Sequence, residues 1–125
     1  MVWRSAARVR VRELPGVFLV RLTGDFDVDE VDLLLAAWDE ADERALPATV
    51  VDLTGCTFGD SSFLHALLLT RARHRRAVRR LVLAGPLQPQ ILLLLAVSGT
   101  VEVFDIADSV HEAVARPDEG QASRT

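Results

Sequence analysis

The stretch ATVVDLTGCTFGDSSFLHALLL, residues 48 to 69, decides the fold. It begins with a short β-branched run, residues 48 to 53, which reads as a buried strand. From Ser61 onward it reads as an apolar helix, and the mouth of that helix carries Asp60, Ser61 and Ser62. Asp60 suits the N-cap, because a short side-chain oxygen there accepts one of the unpaired N–H groups of the first turn. Ser61 then takes the first helical position and Ser62 the second. On spacing alone, three such residues are redundant capping chemistry. The functional alternative is a modified serine. A phosphate there carries close to two negative charges and sits where free N–H groups and the helix dipole tolerate an anion.

Working toward the N-terminus, VRVRE at 9 to 13 alternates apolar and charged residues, as a half-exposed strand does. Leu14-Pro15-Gly16 makes a turn, and VFLVRL at 17 to 22 reads as a second, more buried strand, so the two predict a β-hairpin. Asp27 and Glu30 have capping-box spacing, and Val31, Leu34, Leu35, Trp38 and Ala41 recur at helical intervals. A helix is predicted over 28 to 44, with acids in its first turn where the macrodipole favours them, and Pro47 ends it.

Toward the C-terminus, the second helix is predicted from Ser61 to about Arg76, and a strand at LVLAG, 81 to 85, broken by Gly85-Pro86. Residues 88 to 97 read as a helix stopped by Ser98-Gly99, with glycine at the left-handed C′ position. VEVF at 101 to 104 reads as a last strand and SVHEAVA at 109 to 115 as a last helix. The polar tail 116 to 125 is expected to be disordered. A hairpin followed by alternating helices and strands predicts one α/β domain over residues 1 to 115. Its mixed sheet should have four or five strands, the last three mutually parallel, with helices mainly on one face.

Composition narrows the function. At 125 residues and 50% hydrophobic content the chain fits one domain with an ordinary core. A formal charge of −4 favours no nucleic-acid partner globally. The lone Cys56 excludes an intrachain disulfide and suits a reducing cytosol. The longest apolar stretch, ILLLLAV at 91 to 97, falls far short of the roughly 20 residues that span a bilayer. No long apolar run precedes the N-terminal arginines, so a cytoplasmic protein without membrane attachment is expected.

Several candidate sites fall away on chemistry. Asp25, Asp27 and Asp29 begin like a calcium loop, but the sixth and twelfth positions hold Glu30 and Ala36 instead of glycine and glutamate. The six arginines at 71, 73, 75, 76, 79 and 80 interleave with no base-reading aromatics, and arginine at a helix C-terminus complements its dipole, so the run reads as a solvent-facing helix end. A serine hydrolase using Ser61, His65 and Asp60 lacks the Gly-x-Ser-x-Gly elbow, and neighbours on one helix rarely make a working triad. No phosphate loop, dinucleotide fingerprint or metal motif occurs. No cofactor, metal or enzymatic activity is therefore expected.

The order of segments resembles a STAS domain, specifically the bacterial anti-sigma factor antagonists. LTGDFD at 22 to 27 resembles the family's Leu-x-Gly-Glu-Leu-Asp, and VVDLTGCTFGDSSFL at 50 to 64 resembles its strand, loop and Asp-Ser-Ser-Gly-Leu. LVLAGPLQPQILLLLAVSGTVEVFDIADSVHEAV resembles the family's C-terminal half, so the likeness covers about residues 9 to 115. It implies a non-enzymatic, partner-switching role in bacterial transcription and stress response. Family members bind a kinase-type anti-sigma factor, are phosphorylated on the serine after the motif aspartate, and are restored by a serine phosphatase. That serine is Ser61 here, and the family's partner-surface acid near the second strand falls on Asp27. Phe63 stands where the motif usually has glycine, and a large apolar residue there reads as a knob beside the switch. The resemblance thus implies a partner surface of Asp27, Asp60, Ser61, Ser62, Phe63 and His65. The same family fold also serves as a non-switching or stressosome-type scaffold, which is the alternative reading.

Overall fold

A computed structural model describes residues 4–6 and 8–116. Its strands are β1 (Arg4–Ala6), β2 (Val9–Leu14), β3 (Val17–Phe26), β4 (Ala48–Gly59), β5 (Arg80–Ala84) and β6 (Ile106–Ala107). Its helices are α1 (Val31–Arg44), entered through a 3-10 turn at Val28–Glu30, α2 (Ser61–Arg76), α3 (Pro89–Val97) and α4 (Val110–Ala115). The strands lie in one mixed sheet in chain order, β1-β2-β3-β4-β5-β6. β1, β2 and β3 pair antiparallel, while β3 through β6 run parallel. Four strands carry the sheet, and the two edges are only three and two residues long.

Alternation along the strands builds two cores. Val20, Leu22, Val51 and Leu83 face α1, α2 and α3 and pack with Trp38, Leu67, Ile91 and Leu95. Val17, Leu19, Val50 and Val82 face the other way, where α4 covers them with Ala113, Val110 and Val114. Three helices on one face and one short helix on the other is the predicted layering. The buried Trp38 indole N–H donates to the Ala66 carbonyl at 3.0 Å, which fixes α1 against α2.

β3 and β4 continue past the predicted strand ends, because two register shifts bend them. Arg21 opposes Asp52, but Thr23 opposes Gly55; Gly24 opposes Cys56, but Asp25 opposes Phe58. Each step inserts an extra β4 residue, the count that defines a bulge. Asp52 holds the first one: one carboxylate oxygen accepts from the Thr54 N–H and hydroxyl, and the other takes the Arg21 guanidinium at 2.8 Å. Leu53, Cys56 and Gly59 thereby all face the helix layer at three-residue intervals, where a regular strand would alternate.

Two expectations need correction. VEVF at 101 to 104 forms a turn, and the pairing moves to Ile106–Ala107, beside β5. The alternation misled because only Phe104 of the four is buried, and the Val103 carbonyl is taken by the Arg71 Nε–H at 3.0 Å. The Asp105 carbonyl, not one from 101 to 104, receives the Leu83 N–H. The second concerns the tail. Arg116 belongs to the fold, where its guanidinium binds Asp105 and Glu112 and its carbonyl accepts from Arg80. The rest of the expected tail, 117 to 125, lies outside the described residues, as do 1 to 3 and 7. Among the described residues no helix is long and apolar enough to cross a membrane.

Candidate functional site

Parallel strands deliver their following helices to the same end of a sheet, so β3 and β4 release α1 and α2 side by side. The last register pair is Phe26 with Gly59, and the Asp60 N–H donates to the Phe26 carbonyl at 3.3 Å. That bond places Asp27, the residue after Phe26, beside the start of α2. Both helix starts carry the predicted caps. Asp27 accepts from the Asp29 N–H at 2.9 Å while Glu30 reaches back to the Asp27 N–H. Asp60 accepts from the Phe63 N–H at 3.1 Å.

The strand ends beneath are pinned. The Thr57 hydroxyl donates to the Asp25 carboxylate at 2.5 Å, and Arg8 donates to the Asp25 carbonyl at 2.7 Å. Gly24 sits at φ +91° directly under the Arg8 guanidinium, where a side chain would be strained and would have to push the arginine aside.

On this platform Ser61 is exposed at the first position of α2. Its hydroxyl takes no hydrogen-bond partner among the described residues. Next to it, Ser62 and His65 line a groove of about 420 Å³ between α1 and α2, together with Val28, Val31, Leu35 and Leu69. Val28 is 65% exposed and Leu69 40%. Val28 and Leu69 were not singled out in the sequence, and Val31 and Leu35 only as part of the helical spacing of α1. The available signal was the run Leu67-Leu68-Leu69, because three consecutive helical residues cannot all face one core.

Phe63 does not join that surface, and the expectation of an apolar knob is corrected. Its ring is 0% exposed and packs on Phe26, with centroids 5.8 Å apart. The bare backbone of Gly59 makes the space, since a Cβ on Gly59 would run into the Phe63 ring. Phe63 therefore lies under the site as its floor. Asp27, Asp60, Ser61, Ser62 and His65 are gathered at one end of the sheet above it.

Chemically the site is an acidic, partly apolar surface with an accessible hydroxyl. The Asp60 carboxylate is engaged as a cap, which leaves it poorly placed to orient His65 as a catalytic base. Cys56 lies inside the sheet end, where burial pushes its thiol up to about 12, so it is protonated and inert at neutral pH. Among the described residues no group of three or more His, Cys, Asp or Glu side chains could hold a metal ion.

The opposite end of α2 is fastened down. His74, 1% exposed, bonds the Thr70 carbonyl through Nδ1 and the Thr49 hydroxyl through Nε2, each at 2.7 Å. A carbonyl only accepts, so Nδ1 carries the proton and Nε2 accepts from Thr49. Burial lowers the His74 pKa, and Arg79 pushes the same way against the opposing Thr70 bond. Arg73 and Arg79 share Asp42 on α1, and Arg73 also holds Asp39. Arginines expected to face solvent thus clamp the two helices together.

The family model described as "Mlab, STAS domain" matches residues 9–106. No curated protein matches in sequence. Among solved structures, the chain is similar to an anti-sigma factor antagonist from Mycobacterium paratuberculosis, at 22% identity and TM-score 0.73 over 94% of this chain and 93% of that one. It is also similar to the anti-sigma factor antagonist SpoIIAA in its unphosphorylated form, at 18% identity and TM-score 0.66 over 85% and 93%. The phosphorylated form of the Bacillus cell fate determinant SpoIIAA gives 19% identity and TM-score 0.66 over 85% and 96%. At such identities the likeness is one of fold. The family match, covering most of the chain in register with the architecture described above, shows that the chain belongs to the STAS domain family.

Proposed function

We propose that this chain is an anti-sigma factor antagonist that binds a kinase-type anti-sigma factor while Ser61 is unmodified and releases it once Ser61 is phosphorylated. The observation that carries the reading is the single surface formed by both helix starts, with Ser61 exposed beside an apolar groove. Ser61 and Ser62 are first-turn residues, whose N–H groups point out of the helix and suit an anion. Phosphorylation therefore leaves the fold intact and acts on whatever docks there. A partner seated over Val28, Leu69 and Ser61 would have to bury a dianion next to Asp60, which is costly without a matching cation. Two solved STAS-fold relatives are the unphosphorylated and phosphorylated forms of one anti-sigma factor antagonist, which supports a switch compatible with this fold.

The role is one of binding, not catalysis, and a serine phosphatase resets it in a cytoplasmic setting. The test is a pull-down from the native host. Wild type and Ser61→Ala should recover a small ATP-binding protein, and Ser61→Asp should lose it. Recovery by Ser61→Asp equal to wild type would favour the non-switching scaffold, which uses the same apolar groove without needing a modified serine. Esterase turnover abolished by Ser61→Ala would instead revive the hydrolase reading.

A further inference from the structure

Helix α4 is six residues long, yet it covers the second core with Val110, Ala113 and Val114. Isolated helices shorter than about 12 to 15 residues are marginal in water, so α4 depends on what fastens it. Its C-terminal end is held by arginines. The Arg116 guanidinium binds Asp105 and Glu112, and the Arg116 carbonyl accepts from a terminal nitrogen of Arg80 at 2.9 Å. Arg80 starts β5 opposite Ala48, on the sheet face it shares with Val82 and Ala84 beneath α4. It is only 8% exposed, and its Nε and other terminal nitrogen meet no acceptor among the described residues.

A buried guanidinium with two idle donors is expensive, and folded proteins normally avoid it. Asp105 and Glu112 are already held by Arg116, so what Arg80 lacks is an acceptor. The chain itself brings one. Arg116 is extended, at φ −63° and ψ 135°, as a following proline favours, and Pro117 turns the chain out of the helix. Asp118 comes next. At no more than about 3.6 Å of chain per residue, its backbone stays within about 7 Å of Arg116, whose carbonyl Arg80 already holds. The guanidinium is a rigid planar fork, so its idle donors lie beside the nitrogen that makes that bond. We propose that the Asp118 carboxylate accepts from these donors, so that the segment after Arg116 clasps α4 onto the sheet. Asp118 lies outside the described residues; its place is assigned from the reach of the chain and the donors left over. The clasp sits on the sheet face opposite α1 and α2 and is independent of the proposed switch at Ser61.

The test is urea denaturation of the full chain and of Asp118→Asn, Glu119→Gln and Arg80→Met, together with the Arg80 Nε–H resonance of ¹⁵N-labelled protein. Asp118→Asn should raise the unfolding constant about tenfold, as the loss of a charge-assisted hydrogen bond implies. Glu119→Gln should leave it within about twofold, as a surface change does. Combined with Arg80→Met, Asp118→Asn should lose its effect, because the two groups then no longer couple. The Arg80 Nε–H should exchange with water about tenfold or more faster in Asp118→Asn than in wild type. That readout keeps the test decisive if Arg80→Met fails to fold. An unfolding constant and an exchange rate both unchanged in Asp118→Asn would overturn the clasp. So would a loss of stability by Asp118→Asn that persists undiminished over Arg80→Met. An Arg80 resonance that titrates with inorganic phosphate equally in wild type and Asp118→Asn would overturn it too, since the idle donors would then serve a free anion.

Discussion

The two ends of α2 are built from opposite chemistry. At the N-terminal end, Asp60 caps the helix, Ser61 stands exposed, and apolar side chains of the adjacent groove face outward. At the C-terminal end, His74 is buried and bonded on both ring nitrogens, and Arg73 and Arg79 grip acids on α1. One end is presented and the other is anchored. A helix held at its far end and along its buried face can change charge at its first residue without moving, which is what a phosphoserine switch on a rigid domain requires. Breaking the anchored parts should therefore cost stability, and changing the presented part should cost binding.

The largest stability effect is expected at Phe63, the floor joining the presented end to the core. Phe63→Ala should destabilise by about 3–5 kcal/mol in urea denaturation, as for other buried aromatic truncations. Partner choice should stay unchanged under conditions where the variant is folded. A change of partner with little loss of stability would return Phe63 to the surface role first inferred from the sequence.

Next is His74. His74→Leu leaves the Thr49 hydroxyl unpaired and should cost about 1–3 kcal/mol. It should also change the pH profile. The folded pKa is lowered, so the native state gains from neutral His74 fully above the unfolded value of about 6.5. As pH falls below that value the unfolded chain takes up the proton first and stability declines. Thermal melts between pH 8 and 5 should show that decline in wild type and a smaller one in His74→Leu.

Loss of the cap in Asp60→Ala should cost about 1 kcal/mol, measured by chemical denaturation. The smallest effect belongs to Ser61→Asp, which should leave stability level or raise it by about 0.3–1 kcal/mol through the helix dipole. A large destabilisation by Ser61→Asp would break the contrast between the two ends.

The presented end was legible in the sequence because capping is local chemistry. Asp60 and the Asp27–Glu30 pair announce their helices within three residues, and the start of α2 at Ser61 follows. The layering was legible for the same reason, as the hairpin and the alternating elements each carry their own period. What lay hidden was set by tertiary contacts. The β4 extension to Gly59 depends on bulges held by Asp52, which interrupt the alternation that identifies a strand. Phe63 follows a glycine by four residues, and only the folded chain shows that the ring fills the space the glycine leaves. His74 sits in an arginine run that reads as solvated, although Phe63, Leu67, Thr70 and His74 form one buried stripe. The turn at 101 to 104 has strand-like alternation, and Arg71, thirty-two residues upstream of Val103, binds the Val103 carbonyl there.

The most direct measurement is mass spectrometric mapping of phosphate after incubating the purified chain with Mg-ATP and the ATP-binding partner recovered from its host. The account predicts one phosphate, on Ser61, absent from Ser61→Ala and accompanied by loss of the complex on size-exclusion chromatography. Phosphate on Ser62 alone, or a stoichiometrically phosphorylated Ser61 that leaves the complex intact, would contradict it.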